Sequence, residues 1–160
     1  MSKVSILCCL VSFLFINIGC KNKADLHKKT QTKAAIVKEK WHWGNAKKQS
    51  ESAGYAQVVK VGNTIYISGV PSSDLSPKGI TEVYKTLGEC LKAFGATPKD
   101  VVKETLYTTD IETMKKYNES RKAFYANDFP AATWVQISRL YEANAKLEID
   151  LVAHIGNEDD

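Results

Sequence analysis

Residues 54–71 read GYAQVVKVGNTIYISGVP. Tyr55 to Val61 alternates in character, Gly62-Asn63 is a turn dipeptide, and Thr64 to Ser68 is rich in β-branched and aromatic residues. Two such runs about a two-residue turn predict a β-hairpin. Gly69 to Gly79 carries Pro71 and Pro77 and reads as a loop.

The pattern extends in both directions. Ala34 to Trp41 reads as a first strand, followed by the aromatic loop Trp41-His42-Trp43-Gly44. Beyond the hairpin, Ile80, Val83, Tyr84, Leu87, Cys90, Leu91 and Phe94 follow helical spacing, and Gly95 supplies a stop. Val101 to Thr108 is a further core strand. Asp110 can cap a second helix whose face carries Met114, Tyr117, Arg121, Phe124 and Tyr125. Ala132 to Ser138 and Lys146 to Ile155 are the last two strands. The order β-β-β-α-β-α-β-β predicts an α+β domain, a mixed sheet covered on one face by two helices. The other face of such a sheet needs a partner.

The chain has 160 residues, 44% of them hydrophobic and 25% charged, enough for one domain with its own core. Its net charge of +4 is unevenly placed. Residues 21–40 hold seven lysines against Asp25 and Glu39, about +5, whereas residues 41–160 come to about −2. The domain therefore lacks the clustered Lys/Arg that a phosphate-binding surface needs, and no nucleic-acid partner is expected. Cys8, Cys9 and Cys20 lie in or at the end of the N-terminal segment, which leaves Cys90 alone in the domain. A lone cysteine makes no intrachain disulfide, and on an apolar helix face it reads as a packed small hydrophobe.

Met1-Ser2-Lys3 is a short basic start, and Val4 to Gly19 is an uncharged, largely apolar run. The run is short for a membrane span, which needs about 20 residues. Ile18-Gly19-Cys20 resembles the end of a bacterial lipobox, with Asn17 where an aliphatic residue is usual. The expectation is a lipoprotein-type signal peptide over 1–19, lipidation of Cys20, a lysine-rich tether over 20–35, the domain over 36–155 and an acidic tail over 156–160. The protein would then be exported and anchored to a membrane of the cell envelope through its N-terminal lipid. Each buried methylene of such a lipid contributes about 0.8 kcal/mol. A cleaved secretory signal and an uncleaved anchor are the alternatives.

A second stretch carries a resemblance. Phe129 to Leu140 reads FPAATWVQISRL, and KLEID follows at 146–150. With the 54–71 stretch it resembles the Rid family, YjgF-like small proteins of which many are enamine/imine deaminases. The likeness covers about Ile36 to Ile155. It implies a chorismate-mutase-like fold and a homotrimer with the helices outside and small-molecule clefts between subunits. The family's deaminases hydrolyse 2-aminoacrylate and related 2-imino acids to 2-keto acids and ammonia, without a cofactor. By this likeness Tyr55, Ser68, Gly69 and Asn118 line the ligand pocket, and Glu148 positions and activates water. An arginine immediately after Pro-Ala holds the substrate carboxylate, a bidentate task suited to guanidinium.

Here Pro130-Ala131 is followed by Ala132. Side chains alternate along a strand, so Ala132, Trp134, Gln136 and Ser138 share one face. Arg139 falls on the other and is not a simple replacement. Thr133 offers a hydroxyl and a backbone N–H, and Trp134 an apolar wall with one N–H donor. Losing a charge-assisted bidentate contact costs several kcal/mol of binding, so the family's deaminase activity is expected to be altered or lost. Glu148, flanked by Leu147 and Ile149, is expected to have a raised pKa. His27, His42 and His154 have no metal-ligand spacing, and neither a phosphate loop nor a Ser-His-Asp arrangement occurs. Two readings stay open: a hydrolase or deaminase of altered specificity, and a tethered module that binds a small ligand without turnover.

Overall fold

The computed structural model describes residues 35–44, 47 and 54–156. The lipobox-like segment with Cys20, the tether up to residue 34 and the acidic tail from residue 157 lie outside the described residues. Among those described, no helix is long and apolar enough to cross a membrane.

Six strands form one mixed sheet in the order β1-β2-β3-β6-β4-β5. They are β1 (Glu39–Trp41), β2 (Val58–Val61), β3 (Thr64–Ser72), β4 (Val101–Thr108), β5 (Ala131–Gln136) and β6 (Leu147–His154). Every neighbouring pair is antiparallel except β4 and β5, which are parallel. A parallel pair needs a crossover, supplied by α2 (Ile111–Lys116) and α3 (Glu119–Tyr125). The other helix, α1 (Pro77–Lys92), follows β3. The architecture is α+β, with the helices packed on one face.

The hairpin closes as its sequence predicts. Val61 pairs with Thr64 across Gly62-Asn63, and Gly62 takes the positive φ that suits glycine. Beyond it β3 runs on to Ser72, past the expected loop start at Gly69. Its register shifts between Ile67 and Val70, a bulge that holds Ser68 and Gly69. Pro71 is tolerated because β2 no longer pairs with this end of β3, so its missing N–H breaks no ladder on that side.

Helix α1 starts at Ser76, whose hydroxyl accepts from the Gly79 N–H, with Pro77 in the first turn. Its Ile80, Val83, Tyr84, Leu87, Cys90 and Leu91 are buried against Ile65, Ile67, Leu147, Ile149, Leu151 and Ala153 of the sheet. Each such aliphatic side chain contributes about 1.5–3 kcal/mol through burial. Cys90 is fully buried in this layer. The expected second helix is two short ones, because Tyr117 leaves helical geometry (φ −106°, ψ 33°). Asn118, a poor residue for a helix interior, leads into α3. The break still turns Met114, Arg121 and Tyr125 inward.

Candidate functional site

Alternation on β6 fixes the sidedness of the site. Leu147, Ile149, Leu151 and Ala153 face the helices, so Glu148 and Asp150 project from the open face. Glu148 pairs in register with Pro71 on one side and Tyr107 on the other, which places it mid-sheet beside the β3 bulge. There it borders a cavity of about 310 Å³ lined by Tyr55, Ser68, Gly69, Pro71, Tyr141, Glu142 and Glu148.

The bulge and the segment before β2 are stapled together. The Ser68 hydroxyl donates to the Ala56 carbonyl (2.8 Å), and Gln57 Nε2 donates to the Ser68 carbonyl (2.8 Å). The Ser68 N–H donates to the Gln57 carbonyl (2.9 Å). These bonds hold Tyr55 at the cavity rim, where it is 43% exposed. Gly69 leaves room for the acid: a Cβ there would collide with the Glu148 carboxyl group, which would have to move aside.

The Glu148 carboxylate takes no hydrogen bond from the described residues. Burial raises its pKa above the usual carboxylate range, and Asp150 and Glu142 push it the same way. A half-buried carboxylate without a fixed partner, facing a cavity, can take a proton from water and return it. Asp150 is also raised, mainly by burial, with Thr105 and Lys103 opposing.

Of the residues singled out in the sequence, Tyr55, Ser68, Gly69 and Glu148 therefore meet in one cavity. The others lie apart. Ala132 and Trp134 sit on β5 at the sheet edge and face the helix side, opposite to Glu148. Ala132 is exposed, in register with Glu104, and Trp134 Nε1 donates to Glu104 Oε1 (3.2 Å). Thr133 is on the open face, where Lys103 Nζ donates to its hydroxyl (2.6 Å). Asn118 stands at the α2–α3 junction, its Oδ1 buried without a hydrogen-bond partner. Tyr141 and Glu142 were not anticipated. They come from the irregular stretch between β5 and β6, where the only hint is an exposed aromatic beside an acid shortly before Glu148.

Fold and site define a small α+β protein with an acid-bearing cleft on the open face of its sheet. The family model described as Endoribonuclease L-PSP matches residues 46–155. The chain belongs to this family, which includes the YjgF and RidA proteins. It is 37% identical over 108 residues to the 2-iminobutanoate/2-iminopropanoate deaminase of Mus musculus, covering 62% of this chain and 79% of that one. The human protein of the same description is 38% identical over 108 residues, with 62% and 78% covered. Among solved structures, RidA from the Antarctic bacterium Psychrobacter sp. PAMC 21119 has a TM-score of 0.58 at 29% identity, covering 63% of this chain and 88% of that one. The Mycobacterium tuberculosis protein Rv2704, of the YjgF/YER057c/UK114 family, has a TM-score of 0.66 at 21% identity, covering 74% and 100%, and bears on the fold alone.

Proposed function

We propose that this chain is a hydrolase of imines or enamines in which Glu148 activates water and the handling of substrate carboxylates is altered. The observation that carries the reading is the Glu148 carboxylate: raised in pKa, free of fixed partners and pressed against Gly69 in a cavity with Tyr55 and Ser68. Water attacks the C=N carbon while Glu148 takes its proton. Glu148 returns that proton to the nitrogen to give a carbinolamine, which collapses to a carbonyl compound as its hydroxyl proton also passes to the nitrogen and ammonia leaves. Relatives named as 2-iminobutanoate/2-iminopropanoate deaminases support the reaction class.

The cleft is completed by a second copy, in a trimer. In support, the remaining pocket residues of the family resemblance lie at the β5 edge and the α2–α3 junction, away from the Glu148 cavity. Tyr66 and Val135 leave apolar surface exposed. The domain is exported and tethered through Cys20. Its slight negative charge does not suit RNA, although the family model's description names an endoribonuclease.

The reading is tested by ammonia release from freshly generated 2-iminopropionate and 2-iminobutyrate, beside the Glu148→Gln variant. Glu148-dependent release is expected, and its absence with every imine tried would leave the second reading, ligand binding without turnover. That reading draws on Ala132, whose own side chain offers no guanidinium, and on the commitment of the Trp134 N–H to Glu104. Restoring the cation with Ala132→Arg should raise kcat/KM for 2-iminobutyrate about tenfold or more. No change would mean that residue 132 does not set substrate preference.

A further inference from the structure

Glu104 is fully buried, yet its carboxylate collects four donors. Arg121 Nε (2.7 Å) and Trp134 Nε1 (3.2 Å) donate to Oε1, and the hydroxyls of Tyr125 (2.7 Å) and Tyr84 (3.2 Å) donate to Oε2. Both carboxylate oxygens are thus occupied, and Glu104 takes Arg121 through a single nitrogen, not as a two-pronged pair. The guanidinium is held by three rings, with Tyr125, Phe129 and Trp134 centred 5.1, 5.3 and 5.6 Å from Cζ. Its Nη atoms take no partner among the described residues. Nor are they among the polar atoms sealed from solvent without one, of which Asn118 Oδ1 is the single described case. Arg121 therefore keeps an outward donor edge although the residue is only 9% exposed.

The position of that edge gives it meaning. Phe129 and Trp134 bracket residues 130–133, so the guanidinium lies over the strand that begins Ala131-Ala132. Ala132 shares the face of Trp134, opposes Glu104 in register, and is exposed. A small side chain there leaves room beside a preorganised cation. Asn118, the residue that precedes α3, holds a buried acceptor without a donor. A pinned guanidinium that keeps free donors suits a ligand with an anionic group.

We propose that Arg121 is a carboxylate-binding residue of this protein, presented at the β5 edge over Ala132 and held in place by Glu104 and the three rings. The proposal rests on the reading above in one respect, that the β5 edge forms part of the ligand cleft. Arg121 is a recessed cation whose charge is shared with Glu104, so it suits a carboxylate that reaches past the Ala132 methyl group.

The test uses the full chain and two non-reacting probes, 2-oxobutyrate and its methyl ester, with binding followed by NMR titration. The wild type should bind the carboxylate about tenfold or more tighter than the ester. Arg121→Lys should keep part of that preference, because it keeps the charge and loses the fork. The double variant Glu104→Gln/Arg121→Met removes both charges together and strands neither; it should abolish the preference. If it does not fold, the exposed position decides. Ala132→Glu should occupy the guanidinium edge and abolish the preference, whereas Ala132→Gln should not. Absence of preference in the wild type, or its survival in the folded double variant or in Ala132→Glu, would overturn the proposal. Glu148-dependent ammonia release is read separately. Its absence with an Arg121-dependent preference removes the hydrolase reading alone, and its presence without that dependence removes the Arg121 proposal alone.

Discussion

The Glu148 carboxyl group occupies the place that a side chain at Gly69 would need. The contact joins the β3 bulge to the neighbouring strand and fixes how close the acid comes to the cavity floor. Gly69→Ala should push the carboxylate from its position while the fold persists, since Glu148 is held by no hydrogen bond and can swing aside. The expected result is a loss of Glu148-dependent hydrolysis of about 10- to 100-fold with little change in melting temperature, because small misplacements of a catalytic group cost that much. Unchanged activity would show that the acid works from elsewhere.

Glu148 should also cost the fold stability at neutral pH. Its folded-state pKa is raised above the unfolded value, by burial first and then by Asp150 and Glu142. A group of that sign favours folding below its unfolded pKa and loses the contribution as pH rises through its folded pKa. Glu148→Gln should therefore melt near the wild type at about pH 4 and above it at about pH 7. A gap that is constant across that range would mean that the carboxylate is not destabilised in the native state.

How much of this was legible in the sequence follows from the range of each interaction. The hairpin about Gly62-Asn63 and the face of α1 are local patterns, so periodicity and turn chemistry reveal them. Parity on β5 likewise places Ala132 with Trp134. That both face away from Glu148 depends on β4 lying between β5 and β6, a long-range pairing that no local pattern encodes. The bulge at Ser68-Gly69 is hidden because a glycine with a proline two residues on reads as the end of a strand. Arg121 was visible on an apolar helix face, but its partner Glu104 sits 17 residues earlier on a different element.

That pairing predicts a large, specific stability effect. Glu104→Ala leaves the Arg121 guanidinium buried without its counter-charge and strands the hydroxyls of Tyr84 and Tyr125. Both phenols have pKa values pushed far up, by burial first and then by Glu104, so they stay protonated donors that need an acceptor. Denaturant unfolding should show a loss of about 3–5 kcal/mol. Glu104→Gln keeps an acceptor for the hydroxyls and should cost less. Equal costs for the two variants would mean that the charge dominates and the hydroxyl contacts contribute little.

Cys90 should be chemically silent in the folded protein. It is fully buried among neighbouring side chains, and that burial pushes its thiol up to about 12. The thiolate is the reactive form, so at about pH 8 almost none is present in the native state. In a Cys8→Ser/Cys9→Ser/Cys20→Ser background, a thiol reagent should modify no group until denaturant is added, and then one. Rapid modification of the native protein would show that the layer between α1 and the sheet opens readily.

The proposed lipidation of Cys20 carries a prediction of its own. If Cys20 is the lipidated residue, Cys20→Ser blocks the modification that precedes removal of residues 1–19, and unprocessed precursor should accumulate. With lipidation at Cys20, fractionation of cells expressing the wild type should place the mature chain with membranes, extractable by detergent and not by salt, because acyl chains would then supply more of the anchoring than the lysines of residues 21–40. Normal processing and membrane retention of the Cys20→Ser protein would refute lipidation at this residue. Release of both proteins by salt alone would instead assign attachment to the lysine-rich segment, whose attraction to anionic head groups is about 1 kcal/mol per residue and is screened within a Debye length.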